Sequence, residues 1–186
     1  WTTTNELMIK YHDTEWGVPV HDDRKLFEFI VLDAFQAGLS WSIILNKRDA
    51  FRLHFENFEP EKIAAFNEEK ILELIAEPSI IRNKLKIRAT IENAKQFLKI
   101  QEEYDSFDKL IWSFSERKTI HNTWEDLKQI PARTELSDLM SNDLKKRGFK
   151  FVGSTICYAF MQAAGIVNDH IVTCFRYNEI KKLTEP

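Results

Sequence analysis

Asp33 falls within an apolar helical stripe, and the chemistry open to this chain starts from that placement. By the three-and-four rule Leu26, Phe29, Ile30, Asp33 and Ala37 share one face, so a carboxyl points where a core is expected. Buried without a partner, it would cost several kcal/mol. It therefore either meets a buried donor, as in a helix-to-helix hydrogen bond or ion pair, or faces a cleft. Gln36 lies one turn further on, and Trp41 follows the break at Gly38-Leu39-Ser40. A carboxyl, an amide and an indole converging on one pocket can hydrogen-bond and stack a planar base. Leu39, at the apex of the break, is either an ordinary loop residue or an apolar wedge for an unstacked duplex.

A second cluster, Tyr11-His12-Asp13-Thr14-Glu15-Trp16-Gly17-Val18-Pro19, reads as a loop-rich segment. Tyr11 and Trp16 taken singly are core anchors; together with Trp41 and Trp1 they offer more ring faces than such a segment needs. His170 and Cys174 stand four apart, which on a helical turn points both the same way and can grip a metal, although the spacing alone is weak. A tetrahedral structural Zn²⁺ needs further ligands, and His12 is a candidate. Asp169 is a supporting group for the metal, a helix cap or an acid/base. His21, His54 and His121 read as surface or capping residues.

Residues 144–174 read as the end of one helix, a tight turn and a second helix. Gly148 follows Leu144-Lys145-Lys146-Arg147 where a left-handed cap is wanted, and Gly153-Ser154-Thr155 opens an apolar helix running to Gly165. Bare amides at that start, backed by the helix dipole, suit a phosphate. Lys145, Lys146, Arg147 and Lys150 add positive charge nearby. An ordinary glycine-capped helix pair fits the same residues equally well.

Helices must carry these groups. Apolar residues recur at three and four almost throughout, with only five Gly and five Pro in 186 residues, so the fold class is all-α. The spacing predicts helices from Asp22 or Asp23 to Ala37, Trp41 to about Phe55, Glu61 to Phe66, Glu68 to Ala76, Ile80 to about Glu102 and Phe107 to Phe114, with helix returning at about Leu136. Residues 115–135 read as a surface loop. No repeat or linker divides the chain, and 44% hydrophobic content suffices for one sizeable core. A net charge of −3 excludes a polybasic nucleic-acid coat, so any DNA contact is local and short. With two cysteines, Cys157 and Cys174, and neither a secretory segment nor a long apolar span, a cytoplasmic location with reduced thiols is expected. The chain opens on Trp1 rather than Met, which implies residues upstream.

Four motifs in register, YHDTEWGVP, QAGLSW, LKKRGFKFVGSTICYAFMQAAGIVNDH and the following His-x-x-x-Cys, resemble the bacterial 3-methyladenine DNA glycosylase I family, a Tag-like branch of the helix-hairpin-helix glycosylases. The resemblance runs from Trp1 to about Cys174. It implies a single helix-hairpin-helix glycosylase domain over 1–186, with the hairpin at about 136–165 and zinc-binding ends at about 1–17 and 168–178. It implies a monomeric, monofunctional enzyme of base-excision repair that flips a base from alkylated double-stranded DNA and hydrolyses its N-glycosidic bond, releasing 3-methyladenine and leaving an abasic site. It further implies a structural zinc, no redox or nucleotide cofactor, and no membrane partner. Residue by residue, Tyr11, Trp16 and Trp41 match the aromatic pocket with Trp1 at its edge, Gln36 matches a pocket amide, and Gly38 and Leu39 the loop that enters the gap. Lys150, Val152, Gly153 and Ser154 match the phosphate-binding hairpin. His12, His170 and Cys174 match three zinc ligands, the fourth being a cysteine just upstream of the position of Trp1.

Three positions depart from the family pattern. Asp33 stands where a base-recognising Glu is usual, retracting the carboxylate by a methylene and loosening or shifting base discrimination. Met8 stands where some relatives have Tyr, and Phe151 where related glycosylases of other branches place a first glycine, a difference normal in this branch. In the mechanism these residues imply, ring faces favour the cationic base, an ionised Asp33 accepts from its exocyclic amine, and water attacks an oxocarbenium-like sugar with no lysine Schiff base. Two other readings remain open: a lesion-binding module without catalysis, and a zinc-structured helical interaction protein.

Overall fold

The computed structural model describes residues 4–184. Its centre is helix α2 (Asp23–Gln36), in which every residue from Leu26 to Phe35 is buried. A helix this apolar on all sides must be surrounded. Helices α3 (Trp41–His54), α6 (Lys84–Tyr104), α7 (Phe107–Ser113) and α9 (Ser154–Ala163) do so. Phe27, Phe29, Phe35, Phe51, Phe55, Phe97 and Phe107 fill the interior between them, and full burial of each such ring contributes about 2 kcal/mol. The short helices α4 (Pro60–Ala64) and α5 (Glu68–Ala76) pack on α6.

Two charged groups inside α2 take opposite solutions. Glu28 is buried but accepts from Arg48 Nε at 2.8 Å and lies 2.8 Å from Arg52 Nη2 and 3.0 Å from Lys25 Nζ. Burial opposes its ionisation, yet Arg48 and Lys25 hold its pKa below the usual carboxylate value. Arg48 also grips Glu15 with both terminal nitrogens, at 2.9 and 2.8 Å. This cluster ties the chain after α1 (Glu6–Thr14) to α2 and α3. Asp33, one face away, joins none of it.

Several boundaries differ from the sequence expectation for local reasons. The N-terminal cluster is helix α1 rather than loop, because the Asn5 side chain accepts from the amides of Leu7 and Met8 and caps it. Helix α6 starts at Lys84, not Ile80, since the Asn83 side chain accepts from Leu85 and Lys86 and fixes the start there. Ser40 precedes α3 but caps nothing with its hydroxyl, which pairs with Ser42 Oγ instead. Residues 115–135 are not featureless. They contain strand β1 (Ile120–His121) and a 3-10 turn at Leu127–Gln129. β1 pairs in parallel with β2 (Val167–Asn168), Ile120 opposite Val167. His121, expected as a surface or capping residue, is half-buried and bonds Asn168 and Thr184, fastening this strand pair to α10 (Phe175–Thr184).

The pair α8 (Glu135–Lys146) and α9 forms as the sequence expects. Gly148 has φ +98°; its N–H donates to Lys145 O, and Phe149 N–H to Leu144 O, closing α8 with a left-handed cap that buries Phe149. Gly165 closes α9 the same way at φ +73°. Among the described residues no helix is long and apolar enough to cross a membrane.

Candidate active site

The two halves of the site come from α2 and from what flanks it. Asp33 and Gln36 project from the last turns of α2, and Trp41 opens α3 after the turn at Gly38, whose φ of +82° a side chain would strain. Tyr11 comes from α1 and Trp16 from the chain just after it. These five residues line one cavity of about 340 Å³, a size suited to a single small ligand. Tyr11 and Trp41 meet with ring centroids 5.3 Å apart and planes tilted by 51°.

The far wall is formed by residues that the sequence reading did not place at the site. Ala159, Gln162 and Ala163 face the cavity from α9, and Leu127 and Ile130 from the 3-10 turn region. The spacing of Ala159, Gln162 and Ala163 is that of one helix face and offered a signal. Leu127 and Ile130 lay in a segment without periodicity and offered none.

Asp33 is 2% exposed, and among the described residues its Oδ2 has no hydrogen-bond partner; Trp41 Nε1 is likewise buried without one among them. An acceptor and an N–H left unpaired by the protein on residues of one cavity are groups that a bound ligand can pair with. Burial raises the Asp33 pKa well above the usual carboxylate value, with Arg48 only partly opposing it. Burial raises the Tyr11 hydroxyl pKa as well, reinforced by Asp33.

Asp169, left open between three roles, is neither a cap nor bonded to His170. Its carboxylate, 1% exposed, accepts from Asn122 Nδ2 (2.6 Å), Trp124 Nε1 (2.8 Å), Tyr158 hydroxyl (2.6 Å) and Gln162 Nε2 (2.8 Å). It therefore holds the loop after β1 against α9 and commits the Gln162 amide nitrogen, leaving the amide oxygen as the acceptor Gln162 can offer.

His12, His170 and Cys174 come together with their ligand atoms within 4.8 Å of one another. The segment carrying His170 and Cys174 is a turn before α10 rather than a helical turn, with Cys174 N–H donating to Ile171 O. His170 Nδ1 pairs with Asn168 Oδ1 at 2.9 Å, and its buried Nε2 has no partner. His12 Nδ1 pairs with Asp13 Oδ1 at 2.7 Å while Nε2 lies 3.6 Å from Cys174 Sγ. Burial and the neighbouring His12 lower the His170 pKa to about 3, so this imidazole is neutral. Two imidazoles, each held from behind through Nδ1, and a thiol are a donor set that fits zinc. Gly17 is required beside it, since a Cβ there would come within 2.9 Å of the His170 ring. Trp16 packs edge-on against His170, centroids 4.6 Å apart, and stacks near His12, so it stands between this site and the cavity.

On the outer face, Leu39 is 38% exposed at the α2–α3 turn. Among the described residues the start of α9 at Gly153 has no side-chain cap, leaving its first amides open, and none lies within 4 Å of where a Gly153 Cβ would be. Lys150 is exposed and Ser154 Oγ pairs with Ser137 Oγ at 2.8 Å. Val152 is 1% exposed, its carbonyl taken by Ser141, so its side chain cannot reach a phosphate. Arg147 is not a free steering charge either, being paired with Glu103 and Asp143. Trp1 lies outside the described residues.

The chain matches the family model described as methyladenine glycosylase over residues 1–177. It is 48% identical over 177 residues to DNA-3-methyladenine glycosylase 1 of Escherichia coli, covering 95% of each chain. It superposes with a TM-score of 0.92 on a crystal structure of 3-methyladenine DNA glycosylase I that is 48% identical, over 94% of this chain and 96% of that one. A structure of the Staphylococcus aureus 3-methyladenine DNA glycosylase I, solved for the basis of its 3-methyladenine recognition, aligns at 0.91 with 35% identity over 93% and 92%. With its cavity, rings and carboxyl arranged around α2, the chain belongs to the methyladenine glycosylase family.

Proposed function

We propose that this protein is a monofunctional DNA glycosylase that takes 3-methyladenine out of alkylated double-stranded DNA, hydrolyses its N-glycosidic bond and leaves an abasic site for base-excision repair. The observation that carries this reading is the single cavity joining Tyr11, Trp16 and Trp41 to the unpartnered carboxyl of Asp33. N3-methylation leaves the nucleobase cationic and already a good leaving group, so the protein mainly positions it. Ring faces favour the cation. Burial raises the Asp33 pKa, the cation opposes that shift by favouring the ionised form, and the carboxylate accepts from the exocyclic amine. Gln36 completes the polar edge. As the C1′–N9 bond breaks, its electron pair leaves with the base as neutral 3-methyladenine, and water adds to the oxocarbenium-like sugar and loses a proton.

The α8–turn–α9 pair serves as the helix-hairpin-helix unit, its Gly153 and Ser154 amides and Lys150 holding the backbone while Gly38 and Leu39 enter the gap. Val152 contributes only through its main chain. His12, His170 and Cys174 would hold a structural zinc that fastens the two ends of the chain and backs Trp16. The enzyme works as a monomeric, single-domain cytoplasmic protein.

Incubation with methylated duplex and quantification of free base tests the reading. Asp33→Asn is expected to lower 3-methyladenine release by about 100-fold. Undiminished release would remove Asp33 from the mechanism, and no release by the unaltered protein would overturn the proposed activity.

A further inference from the structure

We propose that Lys86 and Asn93 are positioning residues that make helix α6 a ruler, fixing the Leu39 turn and the Lys150–Gly153 segment at the spacing a kinked duplex requires. The inference rests on the DNA-contact roles proposed above and adds what holds those two contacts in register. Lys86 is 6% exposed, far below what a lysine adopts without a reason. Its ammonium donates to Phe35 O at 2.8 Å and Ala37 O at 2.7 Å, the open carbonyls at the end of α2. It thereby clamps the residues immediately before Gly38 and Leu39. Asn93 is 1% exposed and addresses the other contact: its Oδ1 accepts from Lys150 N–H at 2.7 Å and its Nδ2 donates to Lys150 O at 3.0 Å. This amide reads one backbone position from both sides, just ahead of Phe151, whose φ is +56°.

Lys86 and Asn93 lie two turns apart on one face of α6, about 10 Å along its axis. No partner of either residue lines the base cavity, so α6 sets the geometry of the strand contacts without touching the base. The Lys86 ammonium also lies 6.0 Å from the Phe151 ring, linking the two clamped segments directly.

The test separates strand binding from base binding in the full chain. Lys86→Met keeps the stem and removes the donors. It is expected to weaken affinity for an abasic-site duplex and slow single-turnover base release by about tenfold, with affinity for free 3-methyladenine changed by less than about twofold. Lys86→Arg, which retains donors, should recover most of the loss. In a Leu39→Ala background, Lys86→Met should cost less than it does alone, because the turn it positions no longer carries the wedge. Asn93→Asp, which keeps the acceptor but loses the donor to Lys150 O, provides a second variant should Lys86→Met not fold. Equal loss of duplex and free-base affinity, or additive effects with Leu39→Ala, would overturn the ruler. Failure of the unaltered protein to bind abasic DNA would instead overturn the proposed function on which it rests.

Discussion

Asp33 shows what function asks of a single residue here. Its neighbour Glu28 is buried with Arg48, Arg52 and Lys25 around it, whereas Asp33 Oδ2 has no hydrogen-bond partner among the described residues and the Asp33 pKa is raised. A native carboxyl that holds its proton more tightly than the unfolded chain makes stability fall as pH rises from the unfolded value, about 3.9, up through the native value. Asp33→Asn removes that slope. Its melting temperature should match the unaltered protein near the lower limit and exceed it increasingly toward neutrality, while base release collapses. Acid loss from Glu15 and Glu28, whose pKa values are lowered, is common to both proteins and cancels in the difference. A variant less stable than the parent at neutral pH would show that Asp33 has a structural partner. The position was legible from its place in an apolar stripe; its lack of a partner was not, because a stripe does not reveal what packs opposite. Asp169 shows the converse. Its sequence position suggested proximity to a metal, and only the fold brings Asn122, Trp124, Tyr158 and Gln162 to it. Gln162→Leu should weaken free-base affinity by about tenfold without loss of fold, through loss of the amide oxygen as acceptor.

Helix ends carry the DNA-facing part of the account, and glycines there divide into two kinds. At Gly165 an added Cβ would lie 2.4 Å from the backbone of Val18 and Pro19, at a φ of +73°. Gly165→Ala is therefore expected to destabilise the protein by about 3 kcal/mol or more, read as a fall in denaturant midpoint. Gly153 has ordinary φ and open space around it. Gly153→Ala should leave the melting temperature unchanged yet, under the proposed function, reduce abasic-duplex affinity by about tenfold, since the methyl would stand where a phosphate is proposed to approach the open amides. Full affinity in that variant would remove this helix start from the interface. Most helices were legible because three-and-four periodicity and caps such as Asp22 and Asn67 act within a few residues. The start of α6 and helix α1 were not, since Asn83 and Asn5 decided them through side-chain capping that competes with neighbouring signals. β1 and the turn bearing Leu127 depend on pairing with β2 and on Asp169, which are remote in sequence.

At the scale of the whole molecule, the two ends of the described chain meet at His12, His170 and Cys174, and Trp16 transmits that junction to the base cavity. Metal analysis of the purified protein should find zinc, and its removal by chelation should lower the melting temperature by about 5 °C or more. Free-base affinity should fall with it, because Trp16 loses its backing. Unchanged stability and base affinity in a verified metal-free protein would limit the cluster to an incidental grouping. The family resemblance supplied this ligand set, which spacing alone did not, because His12 joins the other two only through the fold. The central claim, that rings and one carboxyl enclose a purine, is tested most directly by titrating free 3-methyladenine while following tryptophan fluorescence in the unaltered protein, Trp41→Ala and Asp33→Asn. Saturable quenching in the unaltered protein, strongly weakened in both variants, is the expected result. Absence of quenching, or equal affinity in all three, would contradict it.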